Sequence, residues 1–365
     1  MSMLPLDLPP IDPRQRLKAR GAARNPVGRF EPYARLVEDD GWEIAEEEAL
    51  LRTEVTIERP RSVITRNSSP DIPFDRSINP YRGCEHGCIY CFARPSHGYL
   101  GLSAGLDFET RLVARPEAPE VLARELGRAG YAPAPLAIGT NTDPYQPIEA
   151  KYAVMRGILE VLSAFNHPVT ITTRGALILR DLDILADLAA RKLVHVGISV
   201  PTLDEALSRK MDPRAPSPAT RIKMIRELAR AGVPVRVMAA PVIPGLTDHE
   251  LERILTEARR AGARAAAMLL LRLPNEVAPL FQDWLEREMP ARAERVLNAI
   301  AALRGGELND PRFKTRMTGE GVEADLLAQR FAVSCRRLGF ARELGALDTA
   351  RFAPPPRAGD QLELF

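Results

Sequence analysis

The sequence predicts an α/β fold: a partial (β/α)6 barrel with an irregular N-terminal arm and a helical C-terminal extension. Three observations carry this expectation. From about Ser77 onward, short apolar runs alternate with stretches of helical spacing, which is how parallel sheets with crossover helices are written. The runs are continuously apolar, as in strands covered on both faces. The repeats also occupy only about 200 residues, short of the roughly 250 of a closed eight-stranded barrel.

The runs lie at residues 136–138, 169–172, 194–200, 235–240 and 266–271, and the helical stretches at 154–165, 184–193, 221–231 and 251–261. With one strand just before Cys84 they make about six β/α units, placed at residues 77–275. Residues 1–76 form the arm, interrupted at Pro9, Pro10, Pro13, Pro26 and Gly28. Its first half is basic (Arg14, Arg16, Lys18, Arg20, Arg24, Arg29, Arg35), an acidic patch follows at 38–48, and residues 55–57 and 62–65 are short strand candidates. Residues 276–345 are the helical extension. Residues 346–365, with Pro354-Pro355-Pro356, read as a flexible tail. The arm and the extension are placed to cover one end of the barrel and define substrate access.

The chain has 365 residues, 45% of them hydrophobic, and a formal net charge of +2, so charge alone names no partner. Arg far outnumbers Lys, which suits carboxylate and phosphate binding. Of the four cysteines, three fall within eight residues. A secreted disulfide framework would spread and pair them, so the clustering points to a metal in a reducing compartment. The first twenty residues lack the apolar core of a signal peptide, and no apolar run approaches the ~20 residues that span a bilayer. The expectation is a cytoplasmic protein with no membrane contact.

The cysteines stand in Arg82-Gly83-Cys84-Glu85-His86-Gly87-Cys88-Ile89-Tyr90-Cys91. Three thiolates suit three corners of a [4Fe–4S] cube and leave one iron open to an exogenous chelator. Gly83 and Gly87 let the loop wrap closely. The alternative is a structural Cys3His zinc site completed by His86 or His97. His86 lies inside the loop and reads as a polar wall residue. His97 either faces substrate or bonds a loop carbonyl.

The spacing C-x3-C-x-[aromatic]-C after the first strand of a β/α repeat resembles the radical S-adenosylmethionine (SAM) superfamily. That resemblance implies a barrel of the radical SAM type, with a cluster on Cys84, Cys88 and Cys91. It also implies SAM bound to the open iron and cleaved by one electron to a 5′-deoxyadenosyl radical that abstracts hydrogen. Tyr90 holds the aromatic position near the adenine. A low-potential donor such as flavodoxin or ferredoxin is the implied electron partner.

Strand ends carry the other unusual residues. After the second strand comes Gly139-Thr140-Asn141-Thr142-Asp143-Pro144-Tyr145-Gln146-Pro147-Ile148-Glu149, whose hydroxyls, amide and carboxylate can hold an amine and ribose hydroxyls. The plainer reading is an Asx-turn capping the helix near Ala150. Asp143 can cap while Thr140 and Thr142 bind. Thr172-Thr173-Arg174-Gly175 ends the third strand, and Ser199 the fourth. Met211-Asp212-Pro213-Arg214-Ala215-Pro216-Ser217-Pro218 precedes Arg221, and the fifth strand leads into Ala240-Pro241-Val242-Ile243-Pro244-Gly245-Leu246-Thr247-Asp248.

In this order, over roughly residues 77–275, the runs resemble relatives of spore photoproduct lyase. By that resemblance Thr140, Asn141, Thr142, Asp143, Thr173, Ser199 and Arg221 line the SAM pocket, and Arg214 or Arg221 pairs with the SAM carboxylate. Both arginines could equally be solvated at the surface. The lyase uses a hydrogen-donating cysteine outside the cluster. Cys335 is the spare cysteine here, in a stretch of helical periodicity where a small core residue is the alternative. Its surroundings do not resemble the lyase's donor region.

The basic arm is a candidate for phosphate contact, a solvated arm being the simpler reading. The terminal Gln361-Leu362-Glu363-Leu364-Phe365 resembles peptides that dock on the bacterial DNA sliding clamp, with self-packing of an apolar terminus as the alternative. Together these point to action on nucleic acid, in the manner of DNA repair. The competing classes are a zinc-stabilised binding module and a DNA-associated scaffold with a structural cluster.

Overall fold

The computed structural model describes residues 20–30 and 52–356. Six parallel strands lie side by side in chain order: β1 (Arg76–Ile78), β2 (Leu136–Ile138), β3 (Val169–Thr173), β4 (Val194–Ser199), β5 (Val235–Val242) and β6 (Ala265–Leu270). Thr65–Arg66 pairs antiparallel with β1 and forms the edge beyond it. No strand ladder among the described residues joins β6 back to that edge, so the sheet is open.

Helices α1 (Ala118–Leu126), α2 (Val154–Ala164), α3 (Leu182–Ala190), α4 (Pro218–Arg230) and α5 (Leu251–Arg260) follow β1 to β5 in turn. Their apolar spacing explains how they pack. In α2, Val154, Met155, Ile158, Leu159 and Leu162 are buried along one stripe. In α4, Ser217 accepts the Thr220 amide as N-cap, and Pro218 supplies a first-turn residue with no amide to satisfy. These stripes join Val169, Ile171, Val194, Val196, Ile198, Val235 and Val237 in one core.

The other sheet face departs from the expected continuous apolar pattern. Thr170, Thr172, His195, Arg236 and Met238 are only partly buried there, with Thr170 opposite His195 and Gly197 opposite Arg236. An unclosed barrel leaves its concave face polar and partly open, so the strands alternate.

A separate small sheet orders Glu54–Ile57, Arg111–Ala114 and Tyr81–Arg82. The first matches the strand expected at 55–57, whereas 62–65 yields only the short Thr65–Arg66. Helices α6 (Val277–Glu288), α7 (Ala293–Ala302) and α8 (Val322–Leu338) follow the sheet. Trp284 stacks on Phe281 at 5.4 Å in a second core and donates to the Lys210 carbonyl at 3.0 Å. Helix α8 lies on α5, where Arg330 pairs with Glu252 at 2.8 Å. The open side of the barrel is spanned by Asp71, before β1, and Arg316, after α7, at 2.5 Å. No helix among the described residues is long and apolar enough to cross a membrane.

The start of the expected tail is seated on the domain. The Asp348 amide donates to the Lys192 carbonyl at 3.0 Å and the Ala353 amide to the Phe165 carbonyl at 3.1 Å. Phe352 packs on Tyr131, Phe165 and His167. An apolar ring three residues before Pro355 finds a pocket, and that outweighs the flexibility its composition suggests. Residues 361–365 lie outside the described residues.

His167 is fully buried. Nδ1 faces the Pro168 carbonyl at 3.0 Å and must donate, so Nε2 accepts from the Tyr131 hydroxyl at 2.9 Å. Burial lowers its pKa from 6.5 to about 4. The imidazole is therefore neutral in the fold, and the stability it contributes is complete above about pH 6.5 and lost as pH falls through about 4. Urea denaturation should show this decline, and His167→Asn should flatten it. Phe352→Ala should cost about 1–2 kcal/mol, and an unchanged midpoint would mean the ring is not seated.

Candidate metal centre

The cysteine loop begins where Tyr81–Arg82 leaves the small sheet. Gly83 and Gly87 hold φ of +73° and +68°. A Cβ at Gly83 would sit 2.5 Å from Leu112 Cδ2, and one at Gly87 2.8 Å from Glu109 Oε2, so both turns need glycine. The Cys84 amide donates to the Phe108 carbonyl at 2.8 Å, and the Ile89 amide to the Met211 carbonyl at 2.9 Å. Cys84 and Cys88 are buried, Cys91 is half-buried, and all three are free thiols.

Two buried side chains fasten this loop from outside the sequence motif. Gln146 donates to the Gly83 carbonyl at 3.1 Å and accepts the Glu85 amide at 2.9 Å. Arg94 donates to the Cys88 carbonyl at 3.0 Å and to the Ala104 and Gly105 carbonyls, and pairs with Glu109 at 2.5 Å; neither member of the pair is exposed. Glu109 also accepts the Gly21 and Ala22 amides at 3.0 and 2.9 Å. Residues 20–22 thus lie so close to the loop that a Cβ on Gly21 would stand 1.9 Å from the Gly87 carbonyl. Arg24 pairs with Asp283 on α6 at 2.6 Å, and Arg29 lies 3.9 Å from Glu276. Two of the arm arginines thus have acidic partners within the chain. Arg14, Arg16, Lys18 and Arg35 lie outside the described residues.

A polar network runs behind the thiols. Arg174 Nη1 donates to Cys88 Sγ at 2.9 Å and to the Tyr90 hydroxyl at 2.5 Å, and its guanidinium lies 5.5 Å over the Tyr90 ring. The Tyr90 hydroxyl donates to Asp212 at 3.1 Å, and Asp212 also takes Arg221 Nη2 at 2.5 Å. Asp143 accepts the Tyr145 amide at 2.9 Å, the Thr173 hydroxyl and the Arg174 amide at 2.8 Å, with His86 Nδ1 3.5 Å away. Burial opposes the Asp143 charge, but His86 and these hydrogen bonds outweigh it and hold the carboxyl down at about 2. Burial pushes the Cys88 thiol up to about 12 against the pull of Arg174, and raises Cys84 well above its usual value. A bound metal reverses that balance, since coordinating thiols lose their protons.

Other residues singled out in the sequence fall in several places. Thr142 is buried and donates to the Tyr81 carbonyl at 2.8 Å. Asn141 bonds Asn79 and Ser96. Thr140 is half-buried and Ser199 buried at the end of β4. Among the described residues neither has a side-chain hydrogen bond into the network. Asp143 makes the Asx-turn, but the helix Glu149–Tyr152 has Ile148 at its N-cap and no side-chain cap, so the expected helix cap does not form. Arg214 pairs with Glu85 at 3.1 Å and ties the segment before α4 to the cysteine loop. Arg221 is fully buried, and among the described residues its Nη1 has no partner. His97 bonds the Arg111 carbonyl at 2.9 Å. Cys335 is half-buried on α8 in the core of the sheet and outer helices, apart from the cluster that contains Cys88 and Tyr90. Those surroundings fit a packing residue, so the donor role has no support in its position. Arg174 and Gln146 were missed as site residues, although both lie within the quoted runs.

The donor set fits an iron–sulfur cluster: three soft thiols on one enclosed loop, with an orphaned guanidinium nitrogen nearby. Of the two histidines that could complete a Cys3His zinc site, His86 Nδ1 lies 3.5 Å from Asp143 and His97 Nε2 bonds the Arg111 carbonyl.

Residues 78–258 match the model of the radical SAM superfamily. An uncharacterized protein of Mycobacterium tuberculosis is 39% identical over 226 residues, 61% of this chain and 66% of that protein's length. The radical SAM Nalpha-GlyT isomerase of Pseudomonas phage M6 is 26% identical over 180 residues, 49% of this chain and 35% of its own. A solved mutant of spore photoproduct lyase, with bound AdoMet and dinucleoside spore photoproduct, shares the fold with a TM-score of 0.55 at 14% identity, over 78% of this chain and 80% of that one.

Removing one member of a buried ion pair leaves the other charge unpaired, at a cost of about 3–5 kcal/mol. Glu109→Gln should lower stability by that amount in urea denaturation and reduce the iron retained after anaerobic reconstitution. Wild-type stability in this variant would show that the pair does not anchor the loop.

Proposed function

From the match of residues 78–258 to the radical SAM superfamily model, we propose that this protein is a radical SAM enzyme acting on a nucleic-acid substrate. The observation that carries the reading is the buried loop of three cysteines within that domain. Cys84, Cys88 and Cys91 would hold a [4Fe–4S] cluster with one iron left for SAM. When bound, the cluster supplies the electron that cleaves SAM, and the resulting 5′-deoxyadenosyl radical takes hydrogen from substrate.

The chain's own residues prepare that site. Arg174 places a positive charge against Cys88 Sγ and so favours its thiolate. The same guanidinium, with Asp212, fixes Tyr90 against the loop. Asp212 holds Arg221 by one Nη and leaves the other without a partner, a donor suited to the SAM carboxylate. Asp143 accepts the Thr173 hydroxyl and lies 3.5 Å from His86 Nδ1, within the cysteine loop.

The nucleic-acid half of the reading rests on the fold likeness to a lyase bound to a dinucleoside photoproduct, and on the 361–365 peptide. In this reading the peptide recruits the enzyme to the sliding clamp, and flavodoxin or ferredoxin supplies the electron.

Anaerobically reconstituted protein with dithionite should convert SAM to 5′-deoxyadenosine, and Cys84→Ala should abolish it. Zinc in place of iron, or full turnover in Cys84→Ala, would overturn the assignment. In a pull-down with purified clamp, deletion of residues 361–365 should remove binding. Equal capture with and without the peptide, or none by the full chain, would end the recruitment idea.

A further inference from the structure

Arg272 follows β6 at the C-terminal end of the sheet, the end where ligands bind in β/α barrels. Its guanidinium lies 5.5 Å from the ring centroid of Phe92, the residue immediately after Cys91. Phe92 is 50% exposed, so one face of a large apolar ring stands open beside the cysteine loop.

Arg272 is half-buried and poorly partnered. Its Nε is buried with no hydrogen bond, and among the described residues its polar contact is Nη1 to Met317 Sδ at 3.6 Å. No carboxylate among the described residues reaches it. Asp71, whose charge it feels, is held by Arg316 at 2.5 Å and by the Lys314 amide at 2.6 Å. Burial, then Arg316 and Arg304, destabilise the Arg272 charge, and Asp71 alone opposes them. Arg304 is held by the carbonyls of Thr315, Arg316 and Leu271. The same chemistry recurs nearby, where Arg316 lies 4.7 Å over the ring of Phe313, which is 56% exposed.

A guanidinium partly withdrawn from water beside two like charges is costly unless an anion completes it. Its planar fork matches a phosphate, and an exposed ring beside it offers a face for a nucleobase. A duplex hides base faces, so the matching ligand is single-stranded or has an extruded base. We propose that Arg272 and Phe92 form a nucleotide subsite at the rim of the cysteine loop, Arg272 holding a backbone phosphate and Phe92 stacking the adjoining unpaired base. The subsite rests on the nucleic-acid reading above and gives that reading a place on the molecule.

The test uses full-length reconstituted protein and a fluorescein-labelled single-stranded DNA of about 12 nucleotides, within the usual site-size range. Anisotropy is followed across a salt series. Arg272→Met should weaken binding about tenfold and reduce the salt slope by about 0.7, the share of one phosphate contact on a single strand. Phe92→Leu should weaken binding about fivefold with the slope unchanged. If Arg272→Met fails to retain the cluster, Arg272→Lys, which keeps the charge and loses the fork, should preserve the slope while weakening binding. Wild-type affinity in the Arg272 and Phe92 variants, with the parent protein binding normally, overturns the subsite and leaves the nucleic-acid reading standing. No binding by the parent protein overturns both. Weakened SAM affinity with unchanged DNA affinity assigns Arg272 to the cofactor carboxylate and likewise overturns the subsite.

Discussion

A carboxylate and a guanidinium, both withdrawn from solvent, hold the cysteine loop in shape. Glu109 sits under the loop and Arg94 leaves its far end, and their 2.5 Å contact closes a circle that neither the sheet nor the cysteines could close. Arg94 Nε and Nη1 donate to carbonyls, including that of Cys88, and the second oxygen of Glu109 takes the arm at Gly21. A buried pair stabilises only when its remaining hydrogen-bonding capacity is met. Here the loop and the arm meet it, so the loop cannot relax without exposing both charges. Residues 20–30 are thereby part of the site's wall, and Arg24 carries the link on to α6.

The second constraint is electrostatic. Burial first, and then neighbouring negative groups, push the Cys84 and Cys88 thiols above their usual range. Arg174 offers the nearest compensation, and Asp212 and Asp143 keep it from being a lone buried cation. The positive charge at Cys88 and the paired acids behind it form one network rooted in the ends of β3 and of the short helix Glu205–Met211, the strand-end placement expected of a β/α fold.

Much of this was legible in the sequence. Alternating apolar runs and helical stretches located β2 to β6 and α2 to α5 within a few residues, because each strand and helix buries one continuous stripe. The cysteine spacing and its two glycines marked the loop, since only glycine tolerates those turns. Long-range pairing was not legible. Glu109 and Arg94 are ordinary charged residues in sequence, and their burial depends on a loop and an arm meeting in space. Gln146 and Arg174 sit in the quoted runs, but nothing local says which member of a polar turn faces the cysteine loop. Phe352 likewise follows a composition typical of tails and is held by a pocket made of two distant segments, at Tyr131 and at Phe165 and His167.

In the proposed function, Cys84, Cys88 and Cys91 hold a cluster with one iron available to SAM. Electron paramagnetic resonance of the reduced, reconstituted protein, recorded with and without SAM, tests it most directly. A cluster with an open iron should give a reduced [4Fe–4S] signal whose g-values shift when SAM is added and do not shift with adenosine, which lacks the methionyl group. A reduced cluster signal that SAM leaves unchanged would contradict it, as would the absence of any iron signal from protein that retains its fold.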